Sequence, residues 1–123
     1  MRPAARRGDR GAVTAELVMG LPALIAVTLV LVWLLSLGAA QARTVDAARE
    51  AARAVARGDD PADAVALAER IAPPGVRVAV ANEGGRAVAT AAGVLAGPGG
   101  LLGGLPGVRL RAEAVALSEG STP

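Results

Sequence analysis

No ionisable side chain occurs between residues 17 and 42, and that gap limits what the rest of the chain can be. A helix crosses ~30 Å of hydrocarbon with roughly 20 apolar residues at ~1.5 Å rise each, so the run is long enough to span. A soluble fold would have to cover such a helix on every side, and 123 residues are too few to do it. The sequence therefore predicts insertion, with membrane lipid as a partner. Arg2, Arg6, Arg7 and Arg10 stand against Asp9 ahead of the run, whereas the charges that follow it nearly balance. By the positive-inside rule this puts the N-terminus inside and the remainder outside, as a single-pass protein of the cytoplasmic membrane.

What is left over makes one small domain, and its composition removes most chemistry. The chain has no Cys, His, Tyr or Lys, so thiolate, Schiff-base and zinc arrangements and most general bases are missing. Carboxylates alone could form a glycosidase pair, but the soluble part is too small to build the cleft. Asp59, Asp60 and Asp63 lack the spacing and the glycine of a calcium loop. The expectation is a protein that is not an enzyme, with no metal, cofactor or small-molecule substrate. The net charge of +2 is concentrated before the apolar run, which is no nucleic-acid footprint. Trp33 is the sole aromatic residue, so the soluble core must be built from Ala, Val, Leu and Ile.

Element by element, the pattern predicts an α+β fold: a long N-terminal transmembrane helix, a short second helix, and a small three-stranded antiparallel sheet packed on the helix. The expected divisions are a basic leader over 1–11, the membrane helix over 12–42, an extracytoplasmic α+β domain over 43–117 and a disordered tail over 118–123. Residues 43–57 continue the helix, with Val45, Ala48, Ala52 and Val55 as an apolar stripe. Arg49, Arg53 and Arg57 form a row on another face, where Asp46 and Glu50 are i+3 partners of Arg49 and Arg53. In "RGDDP", Gly58 is placed to end this helix, Asp60 to cap the next and Pro61 to open it. That second helix should run to about Ala72. Val76, Val78 and Val80 alternate before "NEGG", which is turn chemistry, and Ala87 onward resumes extended structure. A third strand covers 108–117, with Val108, Leu110, Ala112, Ala114 and Ala116 on one face. The Gly-rich loop 96–107 carries Leu101, Leu102 and Leu105, which either pin it to the sheet or offer an exposed edge.

One acid stands at the mouth of the apolar run. An acidic side chain at the bilayer centre costs ~2.5–3.5 kcal/mol on insertion scales and is normally kept because it has a partner. The helix dipole would tolerate Glu16 in a first turn, but tolerance does not explain placement. "RG" at Arg10-Gly11, "AVTAE" over 12–16 and a long apolar helix resemble a type IV prepilin processing site. More narrowly, "RGAVTAELVMGLPALIAVTL" is similar to the start of the TadE family of minor pilins or pseudopilins in tight-adherence pilus systems. "LPAL" over 21–24 and "VDAAREAARAVARGD" over 45–59 extend the likeness to actinobacterial members, and "LPGVRLRAEAVAL" does so more loosely. Leu17 departs from the Phe that many relatives carry after the Glu.

The resemblance implies that a prepilin peptidase cuts between Gly11 and Ala12 and that Glu16 pairs with the new amino terminus of the same or a neighbouring subunit. It also implies that Pro22 marks a soft point in the helix. The implied partners are the peptidase, other pilin subunits and the pilus assembly machinery, in adhesion or secretion; the location is the cytoplasmic membrane or an extracellular pilus. The spacing suits this chemistry, because Ala12 and Glu16 are one helical turn apart and an ammonium and a carboxylate would lie at similar depth. A competing reading comes from "AQA" over 40–42, which fits a leader peptidase site and would release a small secreted or membrane-anchored binding domain after Ala42. Against it, the apolar run exceeds the ~7–15 residues of usual signal-peptide cores.

Overall fold

The computed structural model describes residues 4–97, 103–104 and 106–119, and side chains from Gly8 onward. Helix α1 (Ala4–Ala56) is followed by α2 (Pro61–Ile71), β1 (Arg77–Glu83), β2 (Arg86–Leu95) and β3 (Val108–Leu117). This is the α+β arrangement expected from the sequence pattern. The chain divides into two compact units, Met1–Leu35 and Ser36–Pro123. Leu101, Leu102 and Leu105, singled out above, lie outside the described residues.

In the first unit, α1 is long and apolar enough to cross a membrane, and none of its most apolar window is buried. Leu17, Met19, Leu24 and Leu35 are all more than half exposed. The helix continues through Pro22, although proline has no N–H to give the ladder. Thr14 and Thr28 turn their hydroxyls back onto the carbonyls of Arg10 and Leu24, at 2.9 and 2.8 Å. These bonds leave neither hydroxyl seeking a partner in an apolar surrounding.

The second unit is held by alanine. Thr44, Ala47, Ala48, Ala51, Ala52 and Ala54 on α1 are essentially inaccessible. Ala47, Ala48, Ala51 and Ala52 form one cluster with Ala68 and Ala72 from the second helix region, and with Val78, Ala89, Ala91 and Leu110 from the sheet. The buried face of α1 therefore differs from the expected Val45, Ala48, Ala52, Val55 stripe. Both valines are only partly buried, because the smallest side chains allow the backbones of helix and sheet to approach most closely. The Thr44 hydroxyl, the one buried polar side chain among the described residues, donates to Ala40 O at 2.8 Å.

Capping separates the two helices. Gly58 has φ +95°; its N–H reaches Val55 O, and Asp59 N–H reaches Ala54 O, both at 3.0 Å. This 5→2 and 6→1 pair is a Schellman motif, which needs a residue at positive φ. The Asp60 carboxylate accepts the Ala62 N–H at 2.7 Å, with Pro61 opening α2. The Arg57 guanidinium meets Asp59 at 3.1 Å and Glu50 at 3.7 Å. Glu50 thus pairs two turns along the helix rather than with Arg53 as its spacing suggested, since Arg57 lies where it can bridge both acids. No ion pair joins Asp46 to Arg49 among the described residues.

The sheet order is β1-β2-β3, all antiparallel. Gly84 and Gly85 have φ +56° and +78°, as a two-residue type I′ loop requires, and they set the register at Glu83 opposite Arg86. Inward-facing residues then form rows: Val78, Ala91 and Ala112; Val80, Ala89 and Ala114. The outer edge of β1 is closed by α2, whose Glu69 carboxylate accepts the Val78 N–H at 3.2 Å and pairs with Arg77 at 3.7 Å. Such a bond blunts a strand edge that could otherwise template further pairing. Ser118 and Glu119, in the stretch read as a tail, are hydrogen-bonded: their N–H groups reach Gly85 O at 2.9 Å and Ala56 O at 3.1 Å.

Candidate functional site

The residues singled out for processing and assembly, Gly11, Ala12, Glu16 and Pro22, all fall within α1 and are all exposed. Gly8 and Gly11 lie just before or at the proposed scissile bond, and a Cβ on either would meet no other atom within 4 Å. Each glycine weakens a helix by about 1 kcal/mol relative to alanine, and nothing packs on this turn to compensate. The Gly11-Ala12 bond thus lies in a turn of α1 that carries two helix-weakening glycines and no tertiary packing.

Ala12 and Glu16 are separated by one turn, ~6 Å along the axis. Among the described residues the Glu16 carboxylate makes no hydrogen bond or ion pair. Its surroundings on the helix are apolar: Val13 and Leu17 are 55 % and 60 % exposed. The fold leaves the acid available to a group from outside the intact chain. Pro22 follows Gly20, at which a Cβ would also meet nothing within 4 Å, so the turn before the proline is free of tertiary support.

The other features of the sequence resolve into structure. Arg49 and Arg53 are exposed, and with Ala52 and the Glu113–Ala116 stretch of β3 they line a shallow groove. Arg43 is used internally: its guanidinium donates to the carbonyls of Ile71 and Ala72 at 3.1 and 3.4 Å, closing the C-terminus of α2. Gln41 Nε2 donates to Arg111 O at 3.1 Å. Asp59, Asp60 and Asp63 do not gather; among the described residues no three His, Cys, Asp or Glu side chains could hold one metal ion.

Two contributions were not legible in the sequence. Leu37 and Ala40, inside the apolar run, pack with the core of the second unit, and the indole Nε1 of Trp33 is buried without an acceptor among the described residues. Hydropathy alone cannot separate lipid-facing leucine from core-facing leucine, and the only hint was the change from Leu and Val to small residues after Leu37.

Comparison with protein-family models, with curated proteins and with solved structures yields no match.

Proposed function

We propose that this chain is a minor pilin, or pseudopilin, of a tight-adherence type IV pilus system, cut by a prepilin peptidase after Gly11. In this reading the N-terminus faces the cytoplasm, α1 anchors the chain in the cytoplasmic membrane, and the α+β unit lies outside. After assembly the subunit belongs to, or tips, an extracellular filament that acts in adhesion or secretion. Its work is structural rather than catalytic.

The observation that carries the reading is the exposed Glu16, without a partner among the described residues, one turn beyond Ala12 on a helix whose apolar window is bare. Cutting after Gly11 removes the arginines of the leader and creates an ammonium on Ala12. A carboxylate in hydrocarbon without a counter-charge is strongly disfavoured, and a new amine at nearly the same depth offsets part of that desolvation. Within one subunit the pair neutralises itself; between staggered subunits it fixes axial register. The resemblance of residues 10–29 and 45–59 to TadE-type pilins supports the same assignment, as does the helix-weakening pair Gly8 and Gly11 beside the cut.

Release after Ala42 is less well supported. That cut would take Leu37, Ala40 and Gln41 away from the unit they help hold together.

The test is Glu16→Ala in cells that make the filament. Membrane retention and processing should persist while incorporation into sheared filaments falls sharply. Unchanged incorporation would show that the acid has no pairing role.

A further inference from the structure

The membrane-facing part of α1 can be bounded more closely than hydropathy allows. At its outer end, Leu37 and Ala40 are committed to the core of the second unit. Gln41 is bonded to the backbone of Arg111 in β3, and Arg43 to the last carbonyls of α2. These residues are tied to a sheet strand whose Arg109 and Arg111 are exposed and to a helix whose Arg70 is exposed. Hydrocarbon deep enough to cover 37–42 would cover those guanidinium groups as well, and arginine is among the residues most strongly rejected from lipid. The lipid-facing stretch therefore ends before Leu37.

At its inner end the last charge is Glu16. Between these limits lie residues 17–36, about 20 in number, which span ~30 Å as a helix and match one hydrocarbon thickness. The fit leaves little length for tilt or for drift along the bilayer normal.

Trp33 sits one turn inside the outer limit. It is the only aromatic residue of the chain, and within the protein its indole N–H finds no acceptor among the described residues. Tryptophan concentrates at membrane interfaces because its ring is apolar while its N–H needs a polar partner. Trp33 is itself half-buried on the side of α1 that carries Val30 and Leu37, while Val32, Leu34 and Leu35 on the flanking sides are 55 %, 49 % and 75 % exposed, so the ring reaches lipid by turning from this partly covered side toward the exposed one.

We infer that Trp33 is the outer interfacial anchor of the chain, with its indole N–H donating to a lipid glycerol-ester carbonyl, and that the span is 17–36, with Glu16 at the opposite boundary. This rests on the membrane reading above. It has a consequence for Glu16: a tightly fitted span holds the carboxylate at the edge of the hydrocarbon, at one fixed depth for a partner to meet.

The absence of any second aromatic makes Trp33 a native depth probe. The full chain is reconstituted into phosphatidylcholine vesicles carrying bromines at a series of acyl positions, and retention is checked by resistance to carbonate extraction. Quenching of Trp33 fluorescence should be strongest for bromines nearest the glycerol and fall toward the methyl ends. The absence of cysteine allows a companion experiment with single-cysteine variants. In vesicles opened by freeze–thaw, Ala39→Cys and Ala42→Cys should react with an impermeant maleimide and Val27→Cys should not. Strongest quenching at the bilayer centre, protection of Ala42→Cys, or a retained chain quenched at no depth would each overturn the anchor assignment while leaving membrane insertion standing. A chain that carbonate extracts would overturn both.

Discussion

Gly93 shows how little room the second unit has. A Cβ there would fall against the carbonyl oxygen of Gly75 and within 2.7 Å of Val76 Cα, both backbone atoms that cannot swing aside. Gly93→Ala should therefore destabilise the sheet by roughly 1–3 kcal/mol, the usual range for overpacking, seen as a lower midpoint in denaturant unfolding followed by circular dichroism. If the midpoint does not move, the loop carrying Gly75 is not held against β2. Nothing in the sequence singles this glycine out among 16, because the contact joins segments that only the folded sheet brings together. Glu16 is the opposite case. A lone acid before an apolar run is visible without coordinates, and its meaning depends on the amine that processing would create.

Among the elements, α1 meets the sheet through alanines, and among the described residues no side chain larger than Thr44 is fully buried. Such an interface has little apolar area per residue and depends on close backbone approach. Ala51→Leu should cost roughly 1–3 kcal/mol, whereas Val55→Leu, at a partly buried position, should be nearly neutral; equal losses from the two would mean that the alanine face is not the contact. At the start of α2, Asp60→Ala should cost about 1 kcal/mol and Asp60→Ser much less, the pattern for a side-chain cap, again read from denaturant midpoints. These elements were largely legible beforehand. "RGDDP" announced the stop and start because Gly, Asp and Pro each suit one backbone position, and "NEGG" announced the hairpin because only glycine readily supplies two consecutive positive φ values. The contact face of α1 was legible only in part: Ala48 and Ala52 lie on it as expected, whereas Val45 and Val55 flank it. When alanine occupies almost every other position, periodicity cannot centre the face, and the valines drew the expected stripe toward one edge of it.

For the molecule as a whole, the apolar run serves two surroundings with one helix: largely exposed up to Leu35, with Val30 and Trp33 half-buried, and contributing Leu37 and Ala40 to a protein core beyond it. That division explains why the run is longer than a bilayer requires, and why an apparent leader-peptidase site at 40–42 falls where the folded unit is already engaged. On the proposed reading it also links the two ends of α1, because an outer boundary anchored at Trp33 would set the depth at which Glu16 meets a partner. The most direct test is the intact mass and N-terminal sequence of the mature protein, purified from cells that carry a prepilin peptidase. The account predicts a chain that begins at Ala12; a chain that begins at Met1 or at Arg43 would contradict it.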